Sequence, residues 1–166
     1  DSLNNLGEIT RIRGDLAEAE RLYQESLAIK REIGNRQGES ASLLNLGIIA
    51  QTRGDLDEAE HLHRESLAIM RYVGYRQGEA ASLGNLGVIA QTRGDLAEAE
   101  RLYRESLAIN REIGDRKGEA DSLYNLAVIA ASRGDPDEQR RFDTEVVKIH
   151  REIGIPIDQW FIDNGY

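Results

Sequence analysis

The chain has 166 residues, and its 30 acidic side chains outnumber 21 basic ones for a formal charge of −9, which disfavours a phosphate backbone or an anionic membrane surface as partner. It contains no cysteine, so a disulfide framework and a thiolate zinc site are both ruled out. No apolar run approaches the ~20 residues of a membrane span, and the first residues carry no signal-peptide pattern, so a cytoplasmic domain is expected.

Two prolines and many Ala, Leu, Glu and Arg residues favour helices over strands. The chain opens inside a first helix with no polar cap ahead of it, as a fragment of a longer protein would. Arg13-Gly14-Asp15 breaks that helix: Gly can take the left-handed conformation that ends it, and Asp can cap the next. A second helix then runs to Gly34. The same order returns through Arg53-Gly54-Asp55 to Gly74, Arg93-Gly94-Asp95 to Gly114, and Arg133-Gly134-Asp135 to Gly154. Pro136 after the last Asp agrees, because the first helical position tolerates its missing N–H.

The period is 40 residues, giving four units over 1–154 (1–40, 41–80, 81–120 and a worn copy, 121–154), followed by a tail over 155–166. In the third unit Leu83, Leu86, Ile89 and Ala90 trace one helical stripe, and Leu96, Ala99, Leu102, Tyr103, Ser106 and Ile113 trace another. Four antiparallel helix pairs are expected to stack in a row, each burying what its neighbour cannot bury alone. Gly7, Gly47, Gly87 and Ala127 are expected to let the first helix approach Ala19, Ala59 and Ala99 on the second.

Leu83-x-x-Leu86-Gly87-x-x-Ala90, with Ala99-x-x-x-Tyr103 after it, resembles the tetratricopeptide repeat, in the 40-residue variety whose second helix is extended. Where that pattern closes with proline, this chain has Arg31, Arg71, Arg111 and Arg151. In this it is similar to the repeats of spindle-orientation scaffolds and of microbial signalling proteins. The resemblance covers nearly the whole chain and implies an all-α, right-handed superhelical solenoid that binds a protein or peptide along a concave groove of first helices.

Carried over position by position, the implied groove consists of Asn5, Asn45, Asn85 and Asn125, flanked by Leu44 and Tyr124, then Ile48, Val88 and Val128, then Gln51 and Gln91. Asn is a mediocre helix former, so its return in all four copies calls for a reason. Its amide can hydrogen-bond a peptide main chain of any sequence, or it can tie adjacent helices together. The lysine clamp by which some relatives grip a C-terminal carboxylate has Asp1, Ala41, Ala81 and Asp121 in its place. An apolar or mildly basic partner segment is therefore expected.

The tail holds Ile157, Trp160 and Phe161, which either cap the last unit or drive self-association into a homo-oligomer. No residue pattern supports catalysis, a cofactor or a metal. His61 and His63 stand on different sides of one helix, and the four Arg-Gly-Asp triplets fall at turns where Gly and Asp have structural duties.

Overall fold

A computed structural model describes residues 2–157 and 161–162. Its helices are α1 (Ser2–Ile12), α2 (Leu16–Glu32), α3 (Arg36–Thr52), α4 (Leu56–Val73), α5 (Arg76–Thr92), α6 (Leu96–Ile113), α7 (Arg116–Ser132) and α8 (Pro136–Ile153). They form four hairpins, α1/α2 to α7/α8. The later first helices, α3, α5 and α7, open at Arg36, Arg76 and Arg116, one residue after the cap position that follows each glycine.

Asp15, Asp55, Asp95 and Asp135 stand at the N-caps of the second helices. Each side chain accepts from the backbone N–H three residues on, at 3.1, 3.2, 3.1 and 2.9 Å. The preceding glycines hold the reversal: Gly94 has φ of 81°, where any other residue would be strained. Asn35 and Asp115 cap α3 and α7 in the same way, while Tyr75 stands at the start of α5 without a capping bond.

Each second helix packs on the first helix of its own unit and on that of the next, and α3 also touches α5 as α5 touches α7. Direct contact between successive first helices puts them on the inner side of the stack. The stripe Leu83, Leu86, Ile89 and Ala90 is buried there under α4 and α6, whereas Leu6 and Ile9, its counterparts on α1, remain about half exposed. No described helix precedes α1 to cover them.

A charged node repeats at each joint between units. Glu39, Glu79 and Glu119 are buried, yet each carboxylate receives two arginines. Arg31, Arg71 and Arg111 donate through Nε at 3.0, 2.9 and 2.8 Å, and Arg36, Arg76 and Arg116 close the other side. The Nη2 of each former arginine reaches on to Glu65, Glu105 or Glu145 in the following second helix, at 2.6, 2.5 and 2.7 Å. One guanidinium thus ties three helices. Burial acts to raise the Glu39 pKa, but hydrogen bonds from Arg31 and Arg36 outweigh it and hold the carboxyl below its ordinary value.

The small residues of the first helices serve a different contact from the one expected. A Cβ at Gly7, Gly47 or Gly87 would lie 2.6, 2.5 or 2.5 Å from the ring of Tyr23, His63 or Tyr103, so these glycines make room for a ring and not for a neighbouring backbone. Ala127 is accommodated in the fourth unit, where Asp143 replaces the ring. Gly84 is unlike them: a Cβ there would meet nothing within 4 Å. Gly87→Ala is therefore expected to lower the free energy of urea unfolding by about 1–3 kcal/mol. Gly84→Ala is expected to raise it by about 1 kcal/mol, since Ala is the better helix former. Equal effects at the two sites would show that ring packing does not set the difference.

Candidate functional site

The inner face of α1, α3, α5 and α7 carries one polar-apolar strip per unit. Leu44, Asn45, Ile48 and Gln51 on α3, with Asn85, Val88 and Gln91 on α5, are half-buried, as are Asn125 and Val128 on α7. Tyr124 is 51% exposed, and Asn5 on α1 is exposed. Second helices cover the opposite faces of the first helices, which leaves this strip open along the stack.

Two hollows lie on it. One, of about 490 Å³, brings Gly84, Asn85 and Val88 of α5 together with Asn125 of α7. The other, of about 480 Å³, joins Tyr124 and Val128 to Gln139 and Asp143 of α8. Leu44, Asn45, Ile48, Gln51, Gln91 and Asn5 line neither of these two. Sequence reasoning left out Gln77, Lys117 and Asp121 from the first hollow, although the break in the repeat at Gly84, opposite bulkier Leu44 and Tyr124, marks the place.

The asparagines of the strip differ from the other described asparagines in one respect. Asn4 accepts from the Ser42 hydroxyl at 3.1 Å, and buried Asn110 donates to Ser122 at 3.2 Å and to Ser106 at 3.4 Å. Asn5, Asn45, Asn85 and Asn125 make no side-chain hydrogen bond among the described residues. They do not tie helices together.

Beneath the strip lie the rings of Tyr23, His63 and Tyr103, all fully buried. The Tyr103 hydroxyl donates to Gln91 Oε1 at 2.9 Å, and that of Tyr23 donates to Glu8 Oε2 at 3.1 Å, whose carboxylate also accepts from Arg11. Burial pushes the Tyr103 pKa up to about 12, so the hydroxyl stays a donor throughout the working range. In the second unit neither nitrogen of His63 has a hydrogen-bond partner, and Gln51 above it is unanchored. Desolvation lowers the His63 pKa to about 4, keeping the ring neutral.

Other chemistry is sparse. Among the described residues no group of three or more His, Cys, Asp or Glu could hold a metal ion, and no helix is long and apolar enough to cross a membrane. The Arg-Gly-Asp triplets are spent on structure. Their aspartates cap helices, and Arg53, Arg93 and Arg133 pair with Glu20, Glu60 and Glu100 of the preceding unit. In the tail, Phe161 is 4% exposed and shares a core cluster with Phe142, Val146 and Ile149, against which Ile157 also packs. Trp160 lies outside the described residues.

These features define an all-helical repeat solenoid with an open inner groove. Residues 1–71 and 78–152 match the tetratricopeptide repeat model, and the chain belongs to that family, whose repeats generally serve as protein–protein interaction modules. No curated protein matches it in sequence.

Among solved structures it is similar to BtubC from P. vanneervenii, with a TM-score of 0.80 and 20% identity over 94% of this chain; it spans 65% of the length of that protein. It is also similar to a putative kinesin light chain with nearly identical repeats from Podosopora anserina, with a TM-score of 0.73 and 23% identity over 91% of this chain and 74% of that one. A Rap protein in complex with Competence and Sporulation Factor gives a TM-score of 0.85 and 16% identity, over 96% of this chain and 44% of that one. At these identities the likeness is one of fold.

The neutral, unpartnered His63 makes a pH prediction. Its folded pKa of about 4 lies below its ordinary 6.5, so the unfolded chain takes up a proton that the folded chain refuses. Stability contributed by the neutral ring is complete above pH 6.5 and is lost as pH falls toward 4, by roughly 3 kcal/mol in all. Urea unfolding between pH 7 and 4 is expected to show this loss, and His63→Tyr to remove most of it by restoring the ring that two other units carry. A variant as acid-sensitive as the parent would mean that other groups set the slope.

Proposed function

We propose that the groove holds an extended or helical segment of a partner protein, apolar to mildly basic in character, and that its asparagines hydrogen-bond the main chain of that segment. The observation that carries this reading is the row of recurring asparagines, held half-buried in three of four units and without any hydrogen bond of their own. Asn is a mediocre helix former, and an amide with no partner inside the fold gains no hydrogen bond by recurring in a helix. Leu44, Ile48, Val88 and Val128 offer apolar area between the amides, and the absence of a lysine clamp disfavours an acidic terminus. The similar Rap protein, solved with a bound factor, supports a ligand-holding use of this shape. No cofactor or catalytic step is required.

A second reading, self-association, is favoured by α1, where Leu6, Ile9 and Ile12 are 49%, 47% and 72% exposed. The buried Phe161 argues against the tail as its vehicle. Solution mass across a wide concentration range separates the two: a constant monomer leaves the groove as the working surface.

For the groove, peptides selected from a display library on the intact chain are expected to bind roughly 10- to 100-fold more weakly to Asn45→Ala/Asn85→Ala, with a melting temperature no lower than the parent's because Ala is the better helix former. Undiminished affinity in that double variant, or selection of acidic peptides alone, would sink the proposal.

A further inference from the structure

The hollow at Gly84 departs from its repeat in two independent ways. The first is the glycine itself. Mid-helix glycine costs about 1 kcal/mol against alanine, and at Gly7, Gly47 and Gly87 a buried ring demands it. At Gly84 nothing does, and the corresponding residues are Asn4, Leu44 and Tyr124. Its effect is to open the strip into the 490 Å³ hollow between α5 and α7.

The second departure is Asp121, which lines the same hollow where Ala41 and Ala81 stand in the two preceding units, although the first unit also carries an aspartate there, Asp1. Its carboxylate has neither a hydrogen bond nor an ion pair among the described residues. Asp121 is exposed, yet neighbouring atoms screen part of its carboxylate from water and push its pKa up, an effect that Lys117 and His150 oppose and Asp115 reinforces. The lining is rich in acceptors. Asp115 and Asp121 share the lining with a single cation, Lys117, and Asn85 and Asn125 add amide oxygens, while that of Gln77 already accepts from the Tyr75 hydroxyl at 2.9 Å. The Asp115 carboxylate is already committed to the Gly118 N–H at 2.9 Å, which leaves Asp121 as the unanswered charge.

We propose that this hollow is the specificity subsite of the groove, and that it takes an arginine side chain of the partner segment, with Asp121 as its counter-ion and Gly84 as the space it enters. The inference rests on the groove reading above. Arginine suits the site better than lysine because its planar fork can donate to a carboxylate and to amide oxygens at once, whereas an ammonium is a compact point charge. Gly84 contributes by what it lacks, and Asp121 acts by touching the ligand.

The test uses library-selected peptides on the intact chain and on three variants: Gly84→Leu, which copies the second unit, Asp121→Asn, and Asn45→Ala/Asn85→Ala. The selected peptides are expected to share an arginine at one position. Replacing it by norleucine is expected to weaken binding to the parent about tenfold, lysine less and glutamate more. On Asp121→Asn the arginine-to-norleucine ratio is expected to fall toward unity, while Gly84→Leu weakens the arginine peptides and spares the norleucine ones.

An arginine preference unchanged by Asp121→Asn, or selected peptides with no shared cation, overturns the subsite. Selected peptides that lose affinity in Asn45→Ala/Asn85→Ala while ignoring both Gly84→Leu and Asp121→Asn leave the groove reading standing and the subsite refuted. A chain that binds no peptide refutes both.

Discussion

A carboxylate buried at the joint of two units can persist only if its charge is answered, and Glu39, Glu79 and Glu119 are each answered by two arginines. Removing one partner from such a site costs more than the pair contributes over neutral packing, because an uncompensated charge then stays out of water. The node therefore acts chiefly on register. It admits one way for α2 to meet α3 and α4, and it repeats that geometry at the next two joints. Apolar burial supplies the driving force for stacking, but Leu and Ala alone would tolerate slippage that the arginines do not.

Function follows from where the nodes are placed. The arginines stand at the C-terminal ends of second helices and the starts of first helices, so the inner face of the first helices takes no part in the nodes. That face is free to vary while the scaffold is constant. Within one chain it carries Leu44, Gly84 and Tyr124 at one position and Ile48 and Val88 at another. The rings of Tyr23 and Tyr103 support it from below and orient Glu8 and Gln91, whereas His63 supports without orienting. A constant outside with a variable inside is the division of labour expected if, as proposed above, the groove holds one particular segment.

Much of this was legible in the sequence. The period, the Gly-Asp breaks and the two stripes per unit placed all eight helices, since caps and apolar spacing are local and recur. The arginines at 31, 71 and 111 were visible as the departure from a proline-closed repeat. Their glutamate partners were not, because a bond from Arg71 to Glu105 spans helices whose relative rotation no local pattern states. The glycines were read correctly as close contacts and incorrectly as to partner, since Gly87 and Tyr103 meet through a ring that a linear pattern cannot aim. Asn45 and Asn85 are put on the inner face by the resemblance to the tetratricopeptide repeat, while their lack of internal hydrogen bonds is apparent only with neighbours in place. Gly84 showed as a broken repeat, but the hollow it opens depends on α7.

The most direct measurement of whether the inner face is the working surface is amide exchange and side-chain NMR on the intact chain with a library-selected peptide. Protection is predicted along α3, α5 and α7, together with shifts in the side-chain NH₂ signals of Asn45 and Asn85, with the outer faces of α4 and α6 unchanged. Protection confined to the outer faces of α4 and α6, with both asparagine signals unmoved, would contradict it.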